Sequence, residues 1–179
     1  MRYRLRTLML VIALLASLAV VAEFATRDYR ERRRIEADLF SMGANYVSLD
    51  ENNAPSFVSF INPVGFDGIP KYGSFDHLDF AGASLTDDAI RYVSELENVQ
   101  VLHLTECNVS DAHLRILTDI GSIEMLRLNG SAVSDDAIGA IASIRGLKSL
   151  DVSGTLITSA GIEKLEQLRP DFVVRWEPQ

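Results

Sequence analysis

The sequence is poor in the residues that usually carry chemistry. It has one cysteine, Cys107, and three histidines, His77, His103 and His113. A single cysteine excludes a disulfide framework within one chain and any multi-cysteine zinc site. Eleven glycines and five prolines in 179 residues exclude a collagen-like or low-complexity chain. No P-loop, dinucleotide-binding glycine pattern or Ser-His-Asp arrangement is readable. Basic residues are scarce beyond the first 34 positions. Residues 35–179 hold 9 basic and 22 acidic side chains, net −13, whereas residues 1–34 carry net +5. Phosphate binding needs a basic patch, so so acidic a body argues against nucleic acid as a partner.

Long uncharged runs are equally rare, with one exception. After Arg2, Arg4 and Arg6, residues Leu8 to Ala22 carry no charge, and Glu23 ends the run. A basic start followed by an apolar stretch is the pattern of a signal peptide or signal anchor. The reading preferred here is an uncleaved anchor over residues 1–26, which predicts a single-pass membrane protein. Cleavage after Ala22 is the alternative. Arginines lie on both sides of the run, and their count favours the following side as cytoplasmic. The signal pattern favours export of the repeat domain to a periplasmic or extracellular side, and that orientation is preferred. Residues 27–74 read as a juxtamembrane helix and an N-terminal cap. Ile35, Leu39 and Met42 form one helical stripe, and Gly43 is its stop. Tyr46 to Leu49 alternates as a strand. Phe57 to Phe75 reads as irregular, broken by Pro63, Gly65, Gly68 and Pro70.

From His77 onward the chain repeats every 24 residues. Leu78, Leu102, Leu126 and Leu150 form one column. Phe80, Leu104, Leu128 and Val152 form the next, and Leu85, Val109, Val133 and Ile157 a third. Ile90, Leu114, Ile138 and Ile162 follow in the second half of each unit. Thr86, Ser110, Ser134 and Thr158 each stand before a helical stretch, where a hydroxyl accepts from a free backbone N–H. Gly130 and Gly154 follow strands and serve turns. Residues two apart, such as Leu102 and Leu104, share one face of a strand.

The segment Val99-x-x-Leu102-x-Leu104-x-x-Cys107-x-Val109 resembles the leucine-rich-repeat pattern, and it recurs through Ser131 and Thr155. The Thr-Asp and Ser-Asp segments at 86–87, 110–111 and 134–135 resemble the subgroup with a Thr-Asp-x-Gly-Leu-like second half. With the leader, the chain resembles short membrane-anchored bacterial members of that family. The resemblance implies an α/β fold: a short solenoid over residues 75–179, with a parallel concave sheet, convex helices and a C-terminal capping strand. Cys107 then occupies a buried column.

The solvent side of the expected strands presents three rows. One is Asp79, His103, Arg127, Asp151 and Arg175. The second is His77, Val101, Met125, Ser149 and Val173. The third is Ala81, Thr105, Asn129, Ser153 and Glu177. Neighbouring strands lie ~4.8 Å apart, so row neighbours touch. The expected partner-binding residues are Asp79, His103, Arg127, Asp151 and Arg175, with Val101 and Met125; these two form either an apolar contact patch or a surface covered by the 57–74 segment. This points to a non-enzymatic, membrane-tethered module for an unidentified protein partner, without cofactor or metal. The alternatives are a self-associating structural envelope protein and a metal-dependent enzyme using His77, Asp79 and His103. His113 is expected to be solvated on the convex side.

Overall fold

The computed structural model describes residues 2–61, 63 and 66–178. Gly65, among the expected breakers, lies outside them. The chain forms two compact units, Met1–Ala37 and Asp38–Gln179.

The first unit is helical and belongs to α1, Arg2–Ser41. The single-pass membrane expectation is corrected here. Among the described residues, no helix is long and apolar enough to cross a membrane. The uncharged run of 16 residues from Thr7 to Ala22 rises about 24 Å at ~1.5 Å per residue, short of the ~30 Å hydrocarbon layer. Beyond it the helix continues unbroken through Glu23, Arg27 and Asp28.

The second unit is α/β, with one seven-stranded sheet in sequence order. The last turn of α1 buries Leu39, and Gly43 leaves the helix at φ 90°. Strands β1 (Ala44–Leu49) and β2 (Pro55–Phe60) pair antiparallel. Their turn is held by the Asp50 carboxylate, which accepts the N–H groups of Asn52 and Ala54 at 2.8 and 2.9 Å. Strands β3 (Ser74–Asp79), β4 (Asn98–His103), β5 (Met125–Arg127), β6 (Ser149–Asp151) and β7 (Val173–Arg175) follow. All pair parallel, and β2 joins β3 in parallel too. Helices α2 (Asp87–Ser94), α3 (Asp111–Leu117), α4 (Ile138–Ser143) and α5 (Ser159–Leu168) connect β3 through β7. The stretch expected to be irregular thus contributes β2 to the sheet. Phe57-Val58-Ser59-Phe60 alternates as a strand does, and Pro55 stands at its first position, where a missing N–H is tolerated.

Register converts the repeat into a core. Leu78, Leu102, Leu126, Leu150 and Val174 are successive sheet neighbours, and the four leucines are at most 1% exposed. At the β1 end Phe60, Phe66 and Phe80 close the core, with ring centroids 4.8–5.5 Å apart. At the other end the Arg169 guanidinium donates to the carbonyls of Ala142, Ile144 and Leu147 at 3.0–3.1 Å. It also forks onto Asp171. Trp176 is half-buried there, and its indole N–H donates to the Ile157 carbonyl at 3.0 Å. The turn after each strand requires left-handed backbone. Gly82, Gly130 and Gly154 supply it at φ 66–73°, and Glu106 adopts it at 55°.

A second ladder runs along the helix starts. The Thr86 and Thr158 hydroxyls accept from Ala89 and Gly161 N–H at 3.1 and 3.2 Å, as caps do. The aspartate after a cap reaches forward to the next unit. Asp111 accepts the N–H and O–H of Ser134 at 2.8 and 2.7 Å. Asp135 accepts those of Thr158 at 2.9 and 2.7 Å. Between Asp87 and Ser110 an imidazole intervenes. Ser110 N–H donates to His113 Nδ1 at 3.2 Å, and His113 Nε2 faces Asp87 at 3.0 Å. His113 is therefore a bridge, its side chain only 13% exposed, and not the solvated residue expected.

Two predictions test this packing. Leu126→Ala should destabilise the protein by about 2–5 kcal/mol, and exposed Arg127→Ala by at most about 1 kcal/mol, read from denaturant melts. Gly161→Ala pits helix propensity, worth about 1 kcal/mol in favour of alanine, against overlap with the Asp135 carboxylate, whose Cγ lies 2.8 Å from the added carbon. Thr158 holds that carboxylate in place, so overlap wins and the variant should lose about 1–2 kcal/mol. In an Asp135→Ala background the same substitution should become neutral or stabilising.

Candidate functional site

The register builds an open sheet face. The columns flanking the buried leucines point to the other side, and the strand pairing carries both of them beyond β3. Tyr46, Ser59, Asp79, His103, Arg127, Asp151 and Arg175 are successive neighbours. So are Ser48, Phe57, His77, Val101, Met125, Ser149 and Val173. The expected rows therefore lie side by side, lengthened by two strands. Of the 57–74 segment, residues 57–59 pair edge to edge with β3 and so lie beside the face and not over it.

The face changes character along its length. Arg127 and Arg175 are exposed, whereas Asp79, His103, Val101, Met125 and Asp151 are half-buried. Asp151 Oδ1 accepts Ser153 N–H at 3.1 Å, and its Oδ2 lies 4.0 Å from Arg175 Nε. Arg175 also meets Glu177 at 3.8 Å. In the third row the Thr105 hydroxyl donates to Asn129 Oδ1 at 2.8 Å. Asp79 accepts Ala81 N–H at 2.9 Å and the Ser59 hydroxyl at 3.3 Å. These bonds fix the carboxylates in place but leave the arginine forks open to solvent.

Towards β1 the face is aromatic. Tyr46 meets Phe57 edge-on at 5.4 Å, Phe57 meets His77 at 4.3 Å, and His77 meets His103 at 4.3 Å. His77 Nε2 and His103 Nδ1 are 3.2 Å apart and share a hydrogen bond. His103 Nδ1 also lies 4.0 Å from Asp79. His103 Nε2 is buried without a hydrogen-bond partner. Among the described residues, no group of three or more His, Cys, Asp or Glu could hold a metal ion. The two imidazoles are directed at each other, which removes the geometric basis for a His77–Asp79–His103 metal centre.

Burial, then the His77 and Arg127 charges, lower the His103 pKa to about 4, against the opposing pull of Asp79. Burial also lowers that of His77, again against Asp79 and with help from Arg127. Cys107 faces the core at 4% exposure and donates to the Phe80 carbonyl at 2.8 Å. Burial raises its thiol to about 11, so it is held as the protonated form, which is not a nucleophile. The arrangement suits recognition by shape, charge and ring contact. The sequence rows missed Tyr46 and Phe57, because β1 and β2 lie outside the 24-residue repeat. The alternation of residues 57–60 was the signal that could have placed Phe57.

The histidine pair has a pH signature. In the unfolded chain an imidazole takes up its proton near pH 6.5; in the fold His103 does so near pH 4. The unfolded state binds more protons in that window, so stability is complete above it and falls as pH drops through it. Allowing for solvent at the open face, the loss should be about 1–2 kcal/mol. Thermal midpoints between pH 4 and 7 check this. His103→Gln should show a shallower acid slope than the parent, and parallel slopes would refute the coupling.

In comparisons with known proteins, no family model matches the chain and no curated protein matches it, so the geometry of this face carries the functional reading.

Proposed function

We propose that the chain is a leucine-rich-repeat-like solenoid acting as a non-enzymatic protein-binding module, with the open sheet face as its binding surface. One observation carries the reading. Seven strands in sequence order align two outward columns across the whole sheet, while the column between them is buried from Val58 to Leu150. Such a face presents a ruled array of side chains at ~4.8 Å spacing, and an extended partner can read it residue by residue. Arg127 and Arg175 offer planar donors suited to carboxylates. Val101 and Met125 supply apolar contact between polar rows.

Self-association is the competing reading, favoured by β1. It is an edge strand of six residues with no charge and no proline. The β7 end, by contrast, is three residues long and followed by Trp176, Glu177 and Pro178. Charge and proline blunt an edge, and β1 lacks both.

A photo-crosslinking residue placed at Arg127 should capture a discrete partner, and one at Glu163, exposed on α5, should not. Arg175→Glu, which replaces a donor by a like charge facing an anionic segment, should abolish capture at 127. Equal capture at both positions would overturn the binding-face reading, and crosslinks only to a second copy of the chain would establish self-association.

A further inference from the structure

The two ends of the open face differ in charge as well as in shape. Residues 38–79 contain six aspartates and glutamates and a single basic residue, Lys71. Lys71 is bonded to the Asp38 carboxylate, itself also held by the Tyr72 hydroxyl at 2.6 Å. This acidic stretch carries the aromatic end of the face. Tyr46 is 55% exposed, Phe57 is half-buried beside it, and together with Ser48 they line a shallow hollow. Asp79 stands one strand further on.

An exposed ring with a half-buried one beside it, on an acidic stretch of chain, combines the two features that attract a cation. A guanidinium is held by the ring quadrupole and by carboxylates at once. Among the described residues of the two outward columns, Arg127 is the first arginine or lysine, beyond His103. The two imidazoles between them are neutral near pH 7, held so by burial. An aliphatic partner would gain the apolar contact but nothing from the carboxylates. A lysine ammonium is more strongly hydrated and cannot stack flat, whereas a guanidinium stacks on the ring and loses less hydration on doing so.

Resting on the binding-face reading, we infer that the β1–β3 end of the face is the seat for an arginine-bearing extended segment of the protein partner, its guanidinium lying on the Tyr46 and Phe57 rings. The segment crosses the strands, so its following residues meet Val101 and Met125 and then the Arg127–Arg175 end. This fixes its direction: cationic over β1–β3 and anionic over β5–β7.

Two blocked peptides, tetra-arginine and tetra-lysine, serve as probes in calorimetric titrations of the full chain at fixed pH and salt. Tetra-arginine should bind more tightly. Tyr46→Leu, which keeps apolar area and removes the ring, should weaken it about fivefold, and so should Phe57→Leu. Lys164→Ala, on the exposed side of α5, should leave it unchanged. Unchanged melting curves in circular dichroism separate these losses from unfolding; Tyr46 is exposed enough to serve if Phe57→Leu destabilises. Equal binding by the parent and Tyr46→Leu would overturn the inference, reducing the attraction to the diffuse field of the acidic body. No saturable binding of tetra-arginine, with crosslinking at position 127 intact, would overturn the arginine assignment and leave the binding face standing. Loss of both would remove the face itself.

Discussion

Parallel pairing between segments 24 residues apart sets the other contacts of residues 74–175. Once Leu78 lies beside Leu102, and Leu102 beside Leu126, the alternation of a strand decides which side chains are buried and which are shown. The aspartate ladder reports the same register from the other side of the units. Asp111 and Asp135 can reach Ser134 and Thr158 only if successive helices start in step. Core and ladder are thus two readings of one constraint. A slip of one residue would turn the leucine column outward, and it would also strand the aspartates.

Much of this was legible because repetition amplifies weak signals. One Leu-x-Leu pair is ambiguous, but four in register locate four strands. The caps at Thr86 and Thr158 were equally readable, since hydroxyl and helix start are neighbours in the chain. Features without a repeat were harder. β2 was read as irregular because nothing 24 residues away echoes it on the N-terminal side and prolines surround it. Arg169 gave no signal, since its three carbonyl partners lie 22–27 residues away and a backbone carbonyl has no residue identity. His113 looked like any polar residue on a helix surface. Its role appears only when Asp87, from the preceding unit, is in view.

The leader illustrates a different failure. Its charge pattern suits a membrane signal, and pattern alone suggested an anchor. Among the described residues no helix is long and apolar enough to cross a membrane, and the helix carrying the run continues into charged sequence. The face residues show a milder version of the same lesson. Asp79 and His103 were placed correctly on the open side, yet each is committed to neighbours, Asp79 to Ser59 and Ala81, His103 to His77. Arg127 and the Tyr46 ring are exposed groups that the face offers.

The forward-reaching aspartates have a consequence for how such a chain can change in size. Each clamp spans 23 residues and each strand pair 24, so every unit recognises its immediate successor and is indifferent to the one after. Nothing in that scheme counts units. Duplicating or excising one whole period would present each remaining aspartate with a hydroxyl and each strand with a neighbour, while any other length change would break both. The molecule is built so that its natural increment of growth is a full period, and its recognition surface lengthens or shortens by one strand at a time.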